Sequence, residues 1–224
     1  MNKYLFPIYA VVLGFVIVSL SKNKAFKNIK ILLAFSGAFL LSITVFDLLP
    51  SVYDHLDAKQ TGLFIMIGIL LQIFLEFFSK GAEHGHVHIN KNSEVFPWLL
   101  FVSLCLHAFL EGFPIHQHND MVYGVLVHKI PIAILISTYL FQSDYKLHKI
   151  VLFLVFFGLM TPLGTYFSNE ITAVDTYLHF INAIVIGIFL HISTTILFES
   201  SEGHKFNLSK ILAIIVAVAI AYVI

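Results

Sequence analysis

Two short stretches place ionisable groups inside long apolar runs: His107-Ala108-Phe109-Leu110-Glu111-Gly112 and His128-Lys129-Ile130-Pro131. Burying such groups in lipid is costly, so their presence there is first of all a sign of function. Ser103, His107 and Glu111 follow one another at four-residue steps, which on a helix makes one polar stripe among Leu, Phe and Val. That stripe must look inward. In the next run Pro131 has no amide hydrogen, so the Val127 carbonyl loses its usual helical partner and is available to a cation. Imidazole, carboxylate and carbonyl together are ligands for a divalent metal, zinc foremost, with iron, manganese and cobalt competing. His107 stands seven residues before Pro114 and His128 seven after Met121. At about 1.5 Å per residue each then lies roughly 10 Å below the same end of two antiparallel helices, where they can share one site.

The elements that must position these groups are transmembrane helices. Of 224 residues 58% are apolar and 12% charged, and the mean hydropathy is +0.90; a soluble domain has about 45–50% apolar and about 25% charged residues. Runs near the roughly 20 residues that cross a bilayer cover about 4–21, 29–50, 61–80, 96–114, 121–142, 147–168, 173–198 and 208–224. They predict an all-α integral membrane protein of eight spans in one domain, since runs this long and apolar are not barrel strands. Lys22, Lys24, Lys27, Lys30, Lys80, Lys91, Lys146, Lys149, Lys205 and Lys210 fall on the odd-numbered connections, and only Lys3 and Lys59 on the other side. Lysine-rich loops stay cytoplasmic, so both termini are expected outside. The charges of the first run follow it, which argues for a span over a cleaved leader. With one cysteine, Cys105, there is no intrachain disulfide. With no arginine and no basic cluster, nucleic acid is not an expected partner. The partners are the lipid bilayer and a divalent metal ion, with a homodimer left open; the Phe-rich, Arg-free composition suits the cell membrane of a bacterium.

Other polar groups suggest a route for the metal. Asp47, near the outer end of the second span, and His116, His118 and Asp120, in the loop above the site, are candidates at the mouth. His179 and Asn182 follow in the seventh span, and Glu76, His191 and Glu199 lie toward the cytoplasm. The outer loop with Asp54, His55 and Asp57 reads as a solvated turn. Thr161-Pro162-Leu163-Gly164 is expected to interrupt the sixth span, as proline does where freed backbone lines a cavity. The loop 81–94 carries His84, His86 and His88 beside Glu83, a cytoplasmic tract able to associate with zinc.

These motifs, in this order on these spans, resemble the ZIP family of divalent metal transporters across nearly the whole chain. The resemblance implies eight spans, outer termini and a His-rich third connection. The family's fourth-span His-Asn-x-x-Asp/Glu-Gly stands here as His107-Ala108-Phe109-Leu110-Glu111-Gly112, and its fifth-span His-Glu-x-Pro as His128-Lys129-Ile130-Pro131. Second-span His-x-x-Pro appears as Asp47-Leu48-Leu49-Pro50, and sixth-span Glu-Pro-Leu-Gly as Thr161-Pro162-Leu163-Gly164. The resemblance implies two adjacent metals in a typical member, but Ala108, Lys129 and Thr161 stand around the second, and Ile132 removes a ligand from the first. What remains is one metal held by His107, Glu111 and His128, tuned by Lys129, Pro131 and Ser103, as in branches with His-Ala and His-Lys-x-Pro. Lys129 is expected to occupy the second metal's place and balance Glu111.

The function expected is alternating-access transport of zinc from outside to cytoplasm, with the metal as cargo and no resident cofactor. Two rivals share the same ligands. An intramembrane zinc hydrolase needs a general base beside the metal-bound water, and a sensor would bind the metal without moving it.

Overall fold

The computed structural model describes residues 5–21, 28–79, 96–171, 174, 176–199 and 208–224. Helices account for nearly all of them, and no strand occurs among the described residues. The reason is the one composition gives: in lipid each backbone amide must find its partner within its own segment. The helices are α1 (Phe6–Leu20), α2 (Ile29–Ile43, continued by a π-turn Thr44–Leu48 and a last α segment Leu49–Tyr53), α3 (Ala58–Ser79) and α4 (Trp98–Leu110). They are followed by α5 (Met121–Gln142), α6 (Leu147–Glu170), α7 (Leu178–Glu199) and α8 (Leu208–Val223). A 3-10 turn, Phe113–Ile115, follows α4.

Among the described residues, six helical runs are long and apolar enough to cross a membrane: Ile29–Tyr53, Ala58–Ser79, Trp98–Ile115, Met121–Gln142, Leu147–Glu170 and Leu178–Phe198. Helices α1 and α8 are shorter, with 15 and 16 residues. The result is an all-helical bundle of membrane type. Several boundaries move from those the apolar runs suggest. Helix α7 begins at Leu178 rather than near 173, and α4 ends at Leu110 rather than 114, because a turn at Glu111-Gly112 intervenes.

Helices α4, α5 and α6 supply the side chains of the polar centre. Helix α2 packs on α5, α7 and α8, helix α5 on α1, helix α6 on α4 and helix α3 on α7. Apolar side chains such as Leu40, Leu104, Val125, Phe157 and Phe189 fill the space between them. Outward faces keep Leu63, Leu70, Phe77, Leu152 and Val216 exposed, which suits contact with acyl chains.

One proline position differs from expectation. Pro162 lies inside an unbroken α6, as Pro131 lies inside an unbroken α5. The expected interruption at Thr161-Pro162 is therefore absent. A proline removes one amide donor, and packing by neighbouring helices sustains the helix around that single loss. The irregularity falls in α2 instead, where the π-turn carries Asp47. Single π-turns inside α-helices concentrate at functional sites.

Candidate metal centre

Helix α4 presents Leu100, Ser103, Leu104, His107 and Ala108 as its buried face, as four-residue steps require. Glu111 follows as the helix's C-terminal cap, its amide donating to the His107 carbonyl at 3.0 Å. The chain turns at Gly112 because α6 passes there in backbone contact. A β-carbon on Gly112 would overlap the Thr161 carbonyl, and one on Gly164 the Phe109 carbonyl. Thr165 Oγ1 closes the crossing by donating to the Gly112 carbonyl at 2.9 Å. Two glycines thus bring Thr161 to the side of Glu111.

His107, Glu111 and His128 are 3%, 1% and 2% exposed, and their ligand atoms lie within 4.8 Å of one another. The two imidazole rings stand nearly perpendicular, with centroids 6.2 Å apart. Ligands about 2.0–2.2 Å from a common zinc lie closer together than that, a contraction side-chain rotation can supply. The two oxygens of Glu111 face different partners. Oε1 accepts from Lys129 Nζ and, at 2.7 Å, from Thr161 Oγ1, while Oε2 lies 3.4 Å from His107 Nε2. Lys129 also donates to Thr161 Oγ1 at 2.8 Å and sits 4.5 Å from the Phe157 ring centroid. A lysine with 1% exposure is tolerable only because carboxylate, hydroxyl and aromatic face all meet it.

The other expected positions divide into three groups. Pro131 is buried in α5 beside the site. Ser103 is buried too, but its hydroxyl bonds back to the Leu99 and Leu100 carbonyls at 2.8 and 3.1 Å. Its place in the stripe therefore serves its own helix, a habit of serine in apolar helices. Toward the lysine-rich end His191 Nε2 meets Glu76 Oε2 at 2.7 Å, joining α7 to α3. Glu199 ends α7, and its side chain, like His84, His86 and His88, lies outside the described residues.

At the lysine-poor end His118 Nδ1 meets Asp47 Oδ1 at 3.3 Å. His116 is exposed, Asp120 precedes α5 without a side-chain cap, and Asn182 is 1% exposed. Two contributors lie outside the residues that the sequence pattern favoured. Thr161, discounted as a poor ligand, is the hydroxyl that links Lys129 to Glu111. His55, expected in a solvated turn, stacks on His179. Asp57 of the same loop does behave as a turn residue, accepting from the Lys59 and Gln60 amides.

The fold and site together define a membrane helical bundle with a buried two-imidazole, one-carboxylate centre. No family model matches the sequence. Zinc transporter ZIP1 of Danio rerio is 34% identical over 89 residues, covering 37% of this chain and 30% of that protein. The chain thus matches about a third of its relative's length.

Proposed function

We propose that the chain is a ZIP-like carrier that moves a divalent metal, zinc foremost, across a cell membrane by alternating access around His107, Glu111 and His128. The observation that carries this reading is the convergence of those three buried side chains from α4 and α5, with Lys129 on the far oxygen of Glu111. Similarity to a zinc transporter supports it. The full arrangement in this reading is eight spans with outer termini, α1 and α8 completing the six longer runs, and the lysine-poor end facing outward.

One metal suffices in this reading. Lys129 and Thr161 stand where a second ion's ligands are expected, and the lysine supplies positive charge beside the first. That charge weakens metal binding, and a transport site must release as well as bind. The hydrolase alternative is not favoured. Glu111 is engaged through one oxygen by Lys129 and Thr161 and faces His107 with the other, so no carboxylate among these residues stands ready as a base.

The test is zinc uptake into proteoliposomes by the native chain and by His107→Ala. Uptake that falls by about tenfold or more in the variant is expected, as disturbing a metal's ligand environment costs at least that. Equal uptake by the two chains would remove His107 from the site. Saturable zinc binding without any uptake would leave a sensor.

A further inference from the structure

Glu111 divides its two oxygens between different tasks. Oε1 accepts from Lys129 Nζ and, at 2.7 Å, from Thr161 Oγ1, while Oε2 faces His107 Nε2 at 3.4 Å. An ammonium only donates, so in the 2.8 Å contact between Lys129 Nζ and Thr161 Oγ1 the hydroxyl is the acceptor. Its single proton is left for Glu111. A carboxylate oxygen has two lone-pair directions, and these two donors occupy both at Oε1. Neither donor is loosely placed. Lys129 and Thr161 are 1% and 0% exposed, and the backbone contact of Gly112 with Thr161 fixes the hydroxyl's helix against α4.

A cation held by His107, Glu111 and His128 therefore meets Glu111 at Oε2 alone. Ligation by both oxygens would bring the ion equally close to Oε1, whose lone pairs are engaged and whose neighbour is a positive charge. The remaining spacing suits a four-coordinate ion. Two ligands about 2.0–2.1 Å from one zinc and at the tetrahedral angle lie about 3.3 Å apart, and Nε2 and Oε2 are 3.4 Å apart.

We propose that Lys129 and Thr161 select the ion by restricting Glu111 to one-oxygen ligation. This inference rests on the proposed metal centre and concerns which ion that centre prefers. Two imidazoles and one carboxylate oxygen leave a fourth position for water, which completes a tetrahedral zinc. Manganese favours six oxygen-rich positions and loses the second carboxylate oxygen without replacement. Lys129 and Thr161 are thus positioning residues that act through Glu111. The lysine charge by itself repels every dication alike, so it lowers affinities without changing their ratio.

Infrared spectroscopy and a competition for metal test this together. The full chain, with His84, His86 and His88 each changed to Gln so that the loop takes up no metal, is labelled with 13C-glutamate and compared with and without zinc. The expected result is one glutamate whose two carboxylate stretches move apart, the signature of one-oxygen ligation, and whose signal is missing in Glu111→Gln. In the Lys129→Met, Thr161→Val double variant the stretches should draw together, and the ratio of zinc to manganese affinity should fall about tenfold or more. Stretches that already draw together in the native chain, or a double variant that keeps the native spectrum or the native ratio, overturn the proposal. If the double variant does not fold, Thr161→Val alone is read in the same way, with Thr161→Ser expected to restore the native values. A Thr161→Val chain that keeps the native spectrum and ratio then overturns it. Failure of the metal centre itself looks different, because zinc would leave every glutamate band of the native chain unmoved.

Discussion

Lys129 is held by a carboxylate, a hydroxyl and a ring face with almost no exposure. Removing one member of a buried ion pair leaves the other uncompensated, a loss of roughly 3–5 kcal/mol. Lys129→Met should therefore lower the melting temperature of the metal-free protein. Added zinc should restore much of it, because a dication can compensate Glu111 in the lysine's place. Differential scanning fluorimetry with and without zinc checks this, and an unchanged melt would show that the pair contributes nothing. The residues of this centre were legible in the sequence because four-residue spacing set His107 and Glu111 on one face and equal depth from Pro114 and Met121 set His107 level with His128. Thr161 was not, because its role depends on α6 meeting α4 fifty residues away, a contact no local pattern encodes.

At the scale of elements, the centre depends on how closely α4 and α6 approach. Gly164→Ala places a methyl group against the Phe109 carbonyl, so the helices must separate and carry Thr161 away from Glu111. Such overpacking costs about 1–3 kcal/mol, read as a lower melting temperature and reduced zinc uptake. A β-carbon on Gly62 would meet nothing within 4 Å, so Gly62→Ala in α3 serves as a control. It should be neutral or stabilising by up to about 1 kcal/mol. The helices themselves were legible from apolar runs, whereas their irregularities were not. Proline at 162 suggested a break that packing prevents, and the π-turn around Asp47 left no signature in the residue pattern of α2. The stack of His55 on His179 escaped for the same reason as Thr161, since it joins the loop after α2 to the first turn of α7, which only the assembled bundle brings together.

At the scale of the whole molecule, lysine placement assigns the connections to opposite sides of the membrane in the proposed topology. Cys105 is half-buried within α4, so cysteines introduced at exposed turns can be told from it. In a Cys105→Ala background, Asp57→Cys should react with an impermeant maleimide applied to intact cells, and Asp144→Cys only after the membrane is opened. The reverse pattern would invert the topology. The pairing of Lys129 with Glu111 has an electrical consequence. The two charges cancel, so the empty centre contributes no net charge of its own. In the proposed transport, a zinc ion crossing it carries two positive charges without a resident counter-charge. An inside-negative potential then drives the loaded step by about 4.6 kcal/mol per 100 mV when both charges traverse the full field. Imposing a potassium diffusion potential on zinc-transporting vesicles should accelerate uptake when the interior is negative and slow it when positive. In the proposed transport reading, membrane voltage itself contributes to the driving force.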